Sequence, residues 1–154
     1  MVKPIIGIIG AANADAITLA LAEEVGRLVA KKGAILVCGG LGGIMEAACR
    51  GAKSAGGHTV GILPQATKEM ANPYVDVPIA TGFGEGRNII IARTADAVIA
   101  VAGEYGTLSE LAYTLKMGKP VVGIKTWDIK GIVKTDTPAA AVDKVFELLH
   151  KSTG

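Results

Sequence analysis

The stretch Ala97-Val98-Ile99-Ala100-Val101-Ala102-Gly103-Glu104-Tyr105-Gly106-Thr107 passes from five apolar residues into a glycine-spaced turn, and from there into a helical pattern. An apolar run of that length without alternation reads as a strand buried on both faces. Working outward, the same signal recurs at Ile5–Ile9, Ile35–Cys38, Thr59–Leu63 and Pro120–Ile124, with a weaker run over Val75–Ala80 beside Pro73 and Pro78. Helical spacing fills the intervals. Ile17, Leu21, Val25 and Leu28 recur at helical period, with Asp15 as N-cap and Gly33 as stop. A second helix over about Gly43 to Ala55 carries a small-residue stripe of Ala47, Ala48, Gly51 and Ala55, suited to close packing on a sheet. Further helices are expected from about Gly86 to Ala95, from Leu108 to Met117, and from Pro138 with Val142, Val145, Phe146 and Leu149 on its apolar face.

Strands alternating with helices across short connections specify an α/β chain, because right-handed crossovers place helices on both faces of a parallel sheet. The expectation is a Rossmann-like, doubly wound, mostly parallel sheet in a single domain over residues 1–154. Half of the residues are hydrophobic and 19% are charged, which excludes a disordered chain. Mean hydropathy is +0.43, yet Asp15, Glu23, Arg93 and Asp96 interrupt every apolar run before it reaches the ~18 residues of a membrane span. Sixteen cations against fourteen anions, with no basic run, give no reason to expect nucleic acid as a partner. Lys3 and the apolar Ile5 to Ala12 loosely mimic a leader, but the run reads better as a first strand, so a cytoplasmic protein is expected. Cys38 and Cys49 lack any ligand spacing and are expected as buried free thiols. His58 and His150 have no partner at metal or catalytic spacing, and no metal site is expected.

Ligands of such sheets bind outside the carboxyl ends of the strands. Three of those turns are unusual: Gly10-Ala11-Ala12-Asn13-Ala14-Asp15, Gly39-Gly40-Leu41-Gly42-Gly43 and Gly103-Glu104-Tyr105-Gly106-Thr107. Glycine at a strand-to-helix turn lets an anion approach free N–H groups, and the helix N-terminus adds about half a positive charge. A phosphate site is the functional reading, while tight structural turns use glycine too. Neither GxGxxG after the first strand nor GxxxxGK[ST] is present, which removes dinucleotide oxidoreductases and Walker-type NTPases. Thr107 and Glu110 fit a capping box at a helix start; the functional alternative aims both at the ligand crevice. Arg87 near a helix N-terminus opposes the macrodipole, so a phosphate or Glu110 is expected to compensate it. Asn88 reads as a cap or a ligand contact, Glu46 as a dipole residue, and Asp96 as the closure of a turn. Tyr105 and Trp127 follow strands, where they either pack in loops or stack on a base.

Arg87-Asn88, Arg93-Thr94-Ala95-Asp96-Ala97, Gly103 through Glu110 and Gly118-Lys119-Pro120-Val121-Val122 together resemble the Lonely Guy (LOG) family, a SLOG-type Rossmann family. Its members are nucleoside 5′-monophosphate phosphoribohydrolases, long mislabelled as lysine decarboxylases. Gly39 through Met45 looks like that family's other glycine-rich element, and the resemblance extends to a short branch that includes molybdenum-cofactor-carrier-like proteins. The family's Pro-Gly-Gly-x-Gly-Thr-x-x-Glu falls on Ala102 through Glu110, with alanine in place of proline and Glu104 in place of the second glycine. Asn88 replaces a usual lysine and Ser109 a frequent glutamate. The resemblance implies Arg87 and Glu110 as catalytic residues. It implies Gly39, Gly40, Gly42, Gly43, Asn88, Gly103, Glu104, Tyr105, Gly106 and Thr107 around the phosphate and nucleotide. It further implies hydrolysis of an N-glycosidic bond without a required cofactor, or else a carrier that holds an AMP-like nucleotide or molybdenum cofactor without turning it over. A homodimer or larger homo-oligomer is the expected assembly. A carboxylate at 104 repels a phosphate unless its side chain points away. Base recognition is expected from the loops around Asn13, Tyr74 and Trp127.

Overall fold

The computed structural model describes residues 2–153, so Met1 and Gly154 lie outside the described residues. Strands β1 (Ile5–Gly10), β2 (Ile35–Cys38), β3 (Thr59–Leu63), β4 (Val77–Ala80), β5 (Ala97–Val101), β6 (Val121–Ile124) and β7 (Ile132–Thr135) form one sheet in the order β4-β3-β2-β1-β5-β6-β7. Every neighbouring pair is parallel. The helices are α1 (Ala16–Lys31), α2 (Ile44–Ser54), α3 (Arg87–Thr94), α4 (Tyr105–Lys116) and α5 (Pro138–Thr153), with a 3₁₀ turn at Gly84–Gly86 before α3. This is a Rossmann-like α/β fold. From β1 the chain winds outward through β2 and β3 to β4, then returns to lay β5 beside β1 and winds out the other way. The reversal leaves a crevice at the carboxyl ends of β1 and β5.

Strand side chains alternate between two cores. Ile6, Ile8, Leu36, Cys38 and Ile99 pack with Ala22, Val25 and Val29 of α1, Ala48 and Cys49 of α2, and Val142 and Val145 of α5. Ile9, Val37, Val98 and Ala100 pack on the other face with Ile91 of α3 and Leu111 of α4. Asp15 caps α1 as expected, its carboxylate accepting from the Thr18 amide at 2.8 Å. The buried stripe of α1 is Ala22, Val25, Gly26 and Val29, with Leu21 and Leu28 half-buried beside it. Ile17 is 69% exposed, one turn outside that stripe. The small residues of α2 do more than approach the sheet. A Cβ on Gly51 would stand 1.8 Å from the Glu23 carbonyl oxygen, and one on Gly26 would stand 1.9 Å from that of Ala48. The two helices therefore touch backbone to backbone, at positions where no other residue fits.

Two connections escaped the sequence reading. Residues 125–131 carry the chain from β6 to a parallel β7 without a helix, shorter than the usual crossover of a dozen or more residues. Positive φ at Lys125 (52°) and Gly131 (105°) folds this tight return. Residues 64–76 join β3 to the edge strand β4 without a helix, and Asn72 ties this segment down. Its amide N–H donates to the Gly40 carbonyl at 2.8 Å and its side-chain Nδ2 to the Leu41 carbonyl at 2.9 Å.

Candidate functional site

A cavity of about 530 Å³ opens at the switch between β1 and β5. The turn after β1 supplies Gly10 to Asn13, the turn after β2 supplies Leu41 and the start of α2 supplies Met45. The start of α3 supplies Arg87 and Asn88, and Glu104, Gly106, Thr107 and Glu110 come from the N-terminal end of α4. Four segments far apart in sequence thus converge where the topology places a ligand.

Helix α4 begins at Tyr105, three residues earlier than the apolar pattern suggests, and Glu104 is its N-cap residue without a side-chain cap bond. This overturns the capping box. Thr107 and Glu110 lie inside the helix, so neither side chain caps its start. The amides of Tyr105, Gly106 and Thr107 are instead first-turn N–H groups without an intrahelical acceptor. Thr107 is buried, and its hydroxyl makes no hydrogen bond among the described residues. Gly103 makes room for it, since a Cβ there would stand 2.5 Å from the Thr107 Oγ1. The turn is tight for a second reason: Ala102 holds φ 51° and donates its amide to the Ile124 carbonyl at 2.9 Å. Proline, the residue the resemblance places here, has a φ fixed near −65° and no N–H, so it fits neither feature. Alanine at 102 is compatible with the backbone observed here, and proline is not.

Glu110 is 6% exposed, and no protein hydrogen bond or ion pair reaches its carboxylate among the described residues. Burial pushes it up to about 7, while the positive charge of Arg87 pulls the other way. Arg87 opens α3, and its buried Nε has no partner. Gly39 makes the space for that guanidinium: a Cβ there would stand 2.8 Å from Nη2. The expected compensation of Arg87 by Glu110 is therefore electrostatic rather than a contact pair.

Asn88 is not a helix cap. It is the second residue of α3 and buried, and it joins two walls of the crevice. Arg87 Nη1 donates to Asn88 Oδ1, Asn88 Nδ2 donates to Ser109 Oγ at 3.0 Å, and Ser109 Oγ donates to the Gly106 carbonyl at 2.7 Å. This chain of bonds sets the start of α4 relative to α3. The far end of α3 is held by Lys119, whose ammonium donates to the carbonyls of Ala92, Arg93 and Ala95 at 2.6 to 2.8 Å. Asp96 closes its turn by accepting the Ile5 amide at 2.8 Å.

Packing accounts for Gly39, Gly40 and Gly43 after β2, whereas a Cβ on Gly42 would meet nothing closer than 3.8 Å. Gly39 clears Arg87, and Gly43 holds φ 65° with the Ala12 carbonyl against it. From this turn it is Leu41 that lines the cavity, with Met45 from the first turn of α2; apolar side chains among glycines gave no sequence signal for such a role. Cys38 and Cys49 are buried free thiols with sulfurs 3.5 Å apart. Tyr105 leans on Trp127 with ring centroids 5.8 Å apart, and Trp127 Nε1 donates to the Glu104 carbonyl at 3.1 Å. Tyr105 lines a neighbouring cavity with Asn88, Gly106 and Ser109. Tyr74 stands away from the crevice, with the Arg50 guanidinium over its ring, so of the three expected base-recognition loops only that of Asn13 lines the main cavity. Among the described residues no group of three or more His, Cys, Asp or Glu is placed to hold a metal, and no helix is long and apolar enough to cross a membrane.

The model of the SLOG cluster4 family matches residues 3–149. A protein of Archaeoglobus fulgidus, itself uncharacterized, is 48% identical over 139 residues, covering 90% of this chain and 91% of its own length. A cytokinin riboside 5′-monophosphate phosphoribohydrolase of Mycobacterium tuberculosis is 36% identical over 119 residues, 71% of this chain and 63% of that enzyme. Among solved structures, the molybdenum cofactor binding protein of the phototrophic bacterium Rippkaea orientalis superposes with a TM-score of 0.92 at 35% identity, covering 97% of this chain and 99% of that one.

Proposed function

This chain belongs to the SLOG cluster4 family, and on that premise we propose that its crevice binds a phosphorylated, nucleotide-like ligand and hydrolyses the N-glycosidic bond of a nucleoside 5′-monophosphate. The observation that carries the proposal is Glu110: a buried carboxyl without a partner, beside an arginine whose buried Nε also lacks one. Unpaired polar groups in a cavity cost stability and are retained where a ligand satisfies them. In this reading the phosphate sits on the free amides of Gly106 and Thr107 with the Thr107 hydroxyl, and Arg87 binds the phosphoribosyl group. The bond from the anomeric carbon to the base nitrogen breaks with its electron pair going to nitrogen. The Glu110 carboxylate stabilises the positive charge that develops on the sugar and orients a water, whose oxygen bonds to the anomeric carbon. One proton of that water ends on the base, giving free base and ribose 5-phosphate. Similarity to the mycobacterial phosphoribohydrolase supports this reading.

The second reading is a carrier that holds a nucleotide or molybdenum cofactor without turnover. The near-complete overlap with the molybdenum cofactor binding protein favours it, as does Glu104, a negative charge at the mouth of the phosphate site. In either reading the protein assembles as a homodimer or larger homo-oligomer; exposed Val77 and Ile79 on the edge strand β4 offer apolar surface for that. Incubation with AMP and GMP, followed by chromatography of base and ribose 5-phosphate, decides between the two. Release that disappears in Glu110→Gln supports the hydrolase. Binding without release over a long incubation supports the carrier.

A further inference from the structure

We infer that Glu104 selects the ring of the ligand, and that the ring carries a 2-amino-4-oxopyrimidine edge, as guanine and pterins do, rather than the edge of adenine. The inference rests on the crevice being the ligand site. Glu104 borders that crevice, and its carboxylate makes no hydrogen bond or ion pair among the described residues. Its backbone, by contrast, is fixed. The Glu104 carbonyl accepts from Trp127 Nε1 at 3.1 Å and from the Leu108 amide at 3.0 Å, and the two preceding residues are both held at positive φ. The fixed backbone places the free carboxylate at the mouth of the cavity, so only the rotamers of the Glu104 side chain remain for a ligand to order.

A carboxylate offers two acceptor oxygens in a plane and no donor. Guanine and pterins present a ring N–H beside an exocyclic amino group, two parallel donors that match those oxygens bidentately. Adenine presents one donor beside a ring acceptor, so one carboxylate oxygen would face a lone pair. Asn13, exposed in the turn after the adjacent strand β1, lines the same cavity and carries an amide that can donate to the exocyclic oxo group of the same edge. Tyr105, 78% exposed and leaning on Trp127, adds an aromatic surface beside Glu104.

Trp127 is the chain's one tryptophan and touches both Tyr105 and Glu104, so its fluorescence reports occupancy. The test titrates GMP, IMP, AMP and 6-hydroxymethylpterin phosphate into the wild-type protein, into Glu110→Gln to prevent turnover, and into Glu110→Gln combined with Glu104→Gln. Calorimetry provides a second readout. The expected result is that GMP or the pterin phosphate binds about tenfold or more tighter than AMP, with IMP between, the loss of one bidentate pairing. In the double variant the GMP-to-AMP ratio falls close to one, because glutamine replaces one acceptor by a donor. Which of GMP and the pterin phosphate binds tighter identifies the source of the ring. Equal affinities for GMP and AMP, or a preference that survives Glu104→Gln, overturn this inference and leave the proposed ligand site standing. Absence of binding by every phosphorylated compound, to wild type and variants alike, overturns the ligand site itself.

Discussion

Arg87 and Glu110 share one crevice at the β1–β5 switch without forming an ion pair. The guanidinium is close enough to pull the carboxyl down, yet burial outweighs it and leaves Glu110 at about 7. A closed pair would neutralise both groups. An open one keeps a carboxyl poised near neutrality and a cation free for a phosphorylated ligand.

Glu110 lowers the stability of the empty protein at neutral and alkaline pH. Its value in the folded chain, about 7, is above the ordinary 4.5. The native state therefore binds the proton more tightly, and stability falls as pH rises from about 4.5 to 7. Glu110→Gln removes this cost. The variant is expected to be more stable than wild type at pH 8, by about 3 kcal/mol at most, with the difference vanishing near pH 4. Urea unfolding at the two pH values measures it; an unchanged difference between them contradicts the buried carboxyl as its source.

If hydrolysis requires the carboxylate, kcat/KM rises with pH through a value near 7 and then levels. Arg87 favours the ionised form, so Arg87→Ala shifts that limb to higher pH in addition to weakening binding. A pH profile of the variant checks this, because loss of binding alone lowers the curve without moving it.

Ala102 occupies a left-handed conformation, φ 51°. Ala102→Gly relieves the strain and is expected to stabilise the protein by about 1 kcal/mol. Ala102→Pro demands a different φ and removes the bond to the Ile124 carbonyl, and is expected to cost on the order of 3 kcal/mol or more. Thermal unfolding of the two variants reads both signs.

The crossing of α1 and α2 depends on Gly26 and Gly51. Because a Cβ on Gly51 meets a backbone carbonyl at 1.8 Å, Gly51→Ala must part the helices, with an expected loss of about 3 kcal/mol. Gly86→Ala, whose nearest neighbour would be 3.6 Å away, is the tolerated comparison. Denaturant midpoints for the two variants separate close packing from a general effect of glycine replacement.

The alternation of apolar runs with helical patterns determined the fold, because a strand buried on both faces and a helix with one buried stripe are local periodicities any reader of the chain can count. All five strong strands lie within one residue of their expected ends, and Ile35–Cys38, Thr59–Leu63 and Ala97–Val101 coincide with them. The glycine turns likewise marked the carboxyl ends of β1, β2 and β5 as the place where the crevice forms. β7 was invisible because its return over residues 125–131 has no helix to announce it.

What the tertiary structure alone decided is which local pattern yields to packing. Thr107 and Glu110 have the spacing of a capping box, but α4 starts at Tyr105 and turns that spacing into two groups inside a helix. Asn88 looks like a cap and instead ties α3 to α4 through Ser109. The unpaired state of Glu110, the clearance that Gly39 gives Arg87, and the backbone contact of α1 with α2 all depend on residues distant along the chain. Burial and close approach are properties of the folded ensemble of elements, so local spacing can nominate the residues of this site, while only their three-dimensional neighbours fix the charge and the freedom each one has.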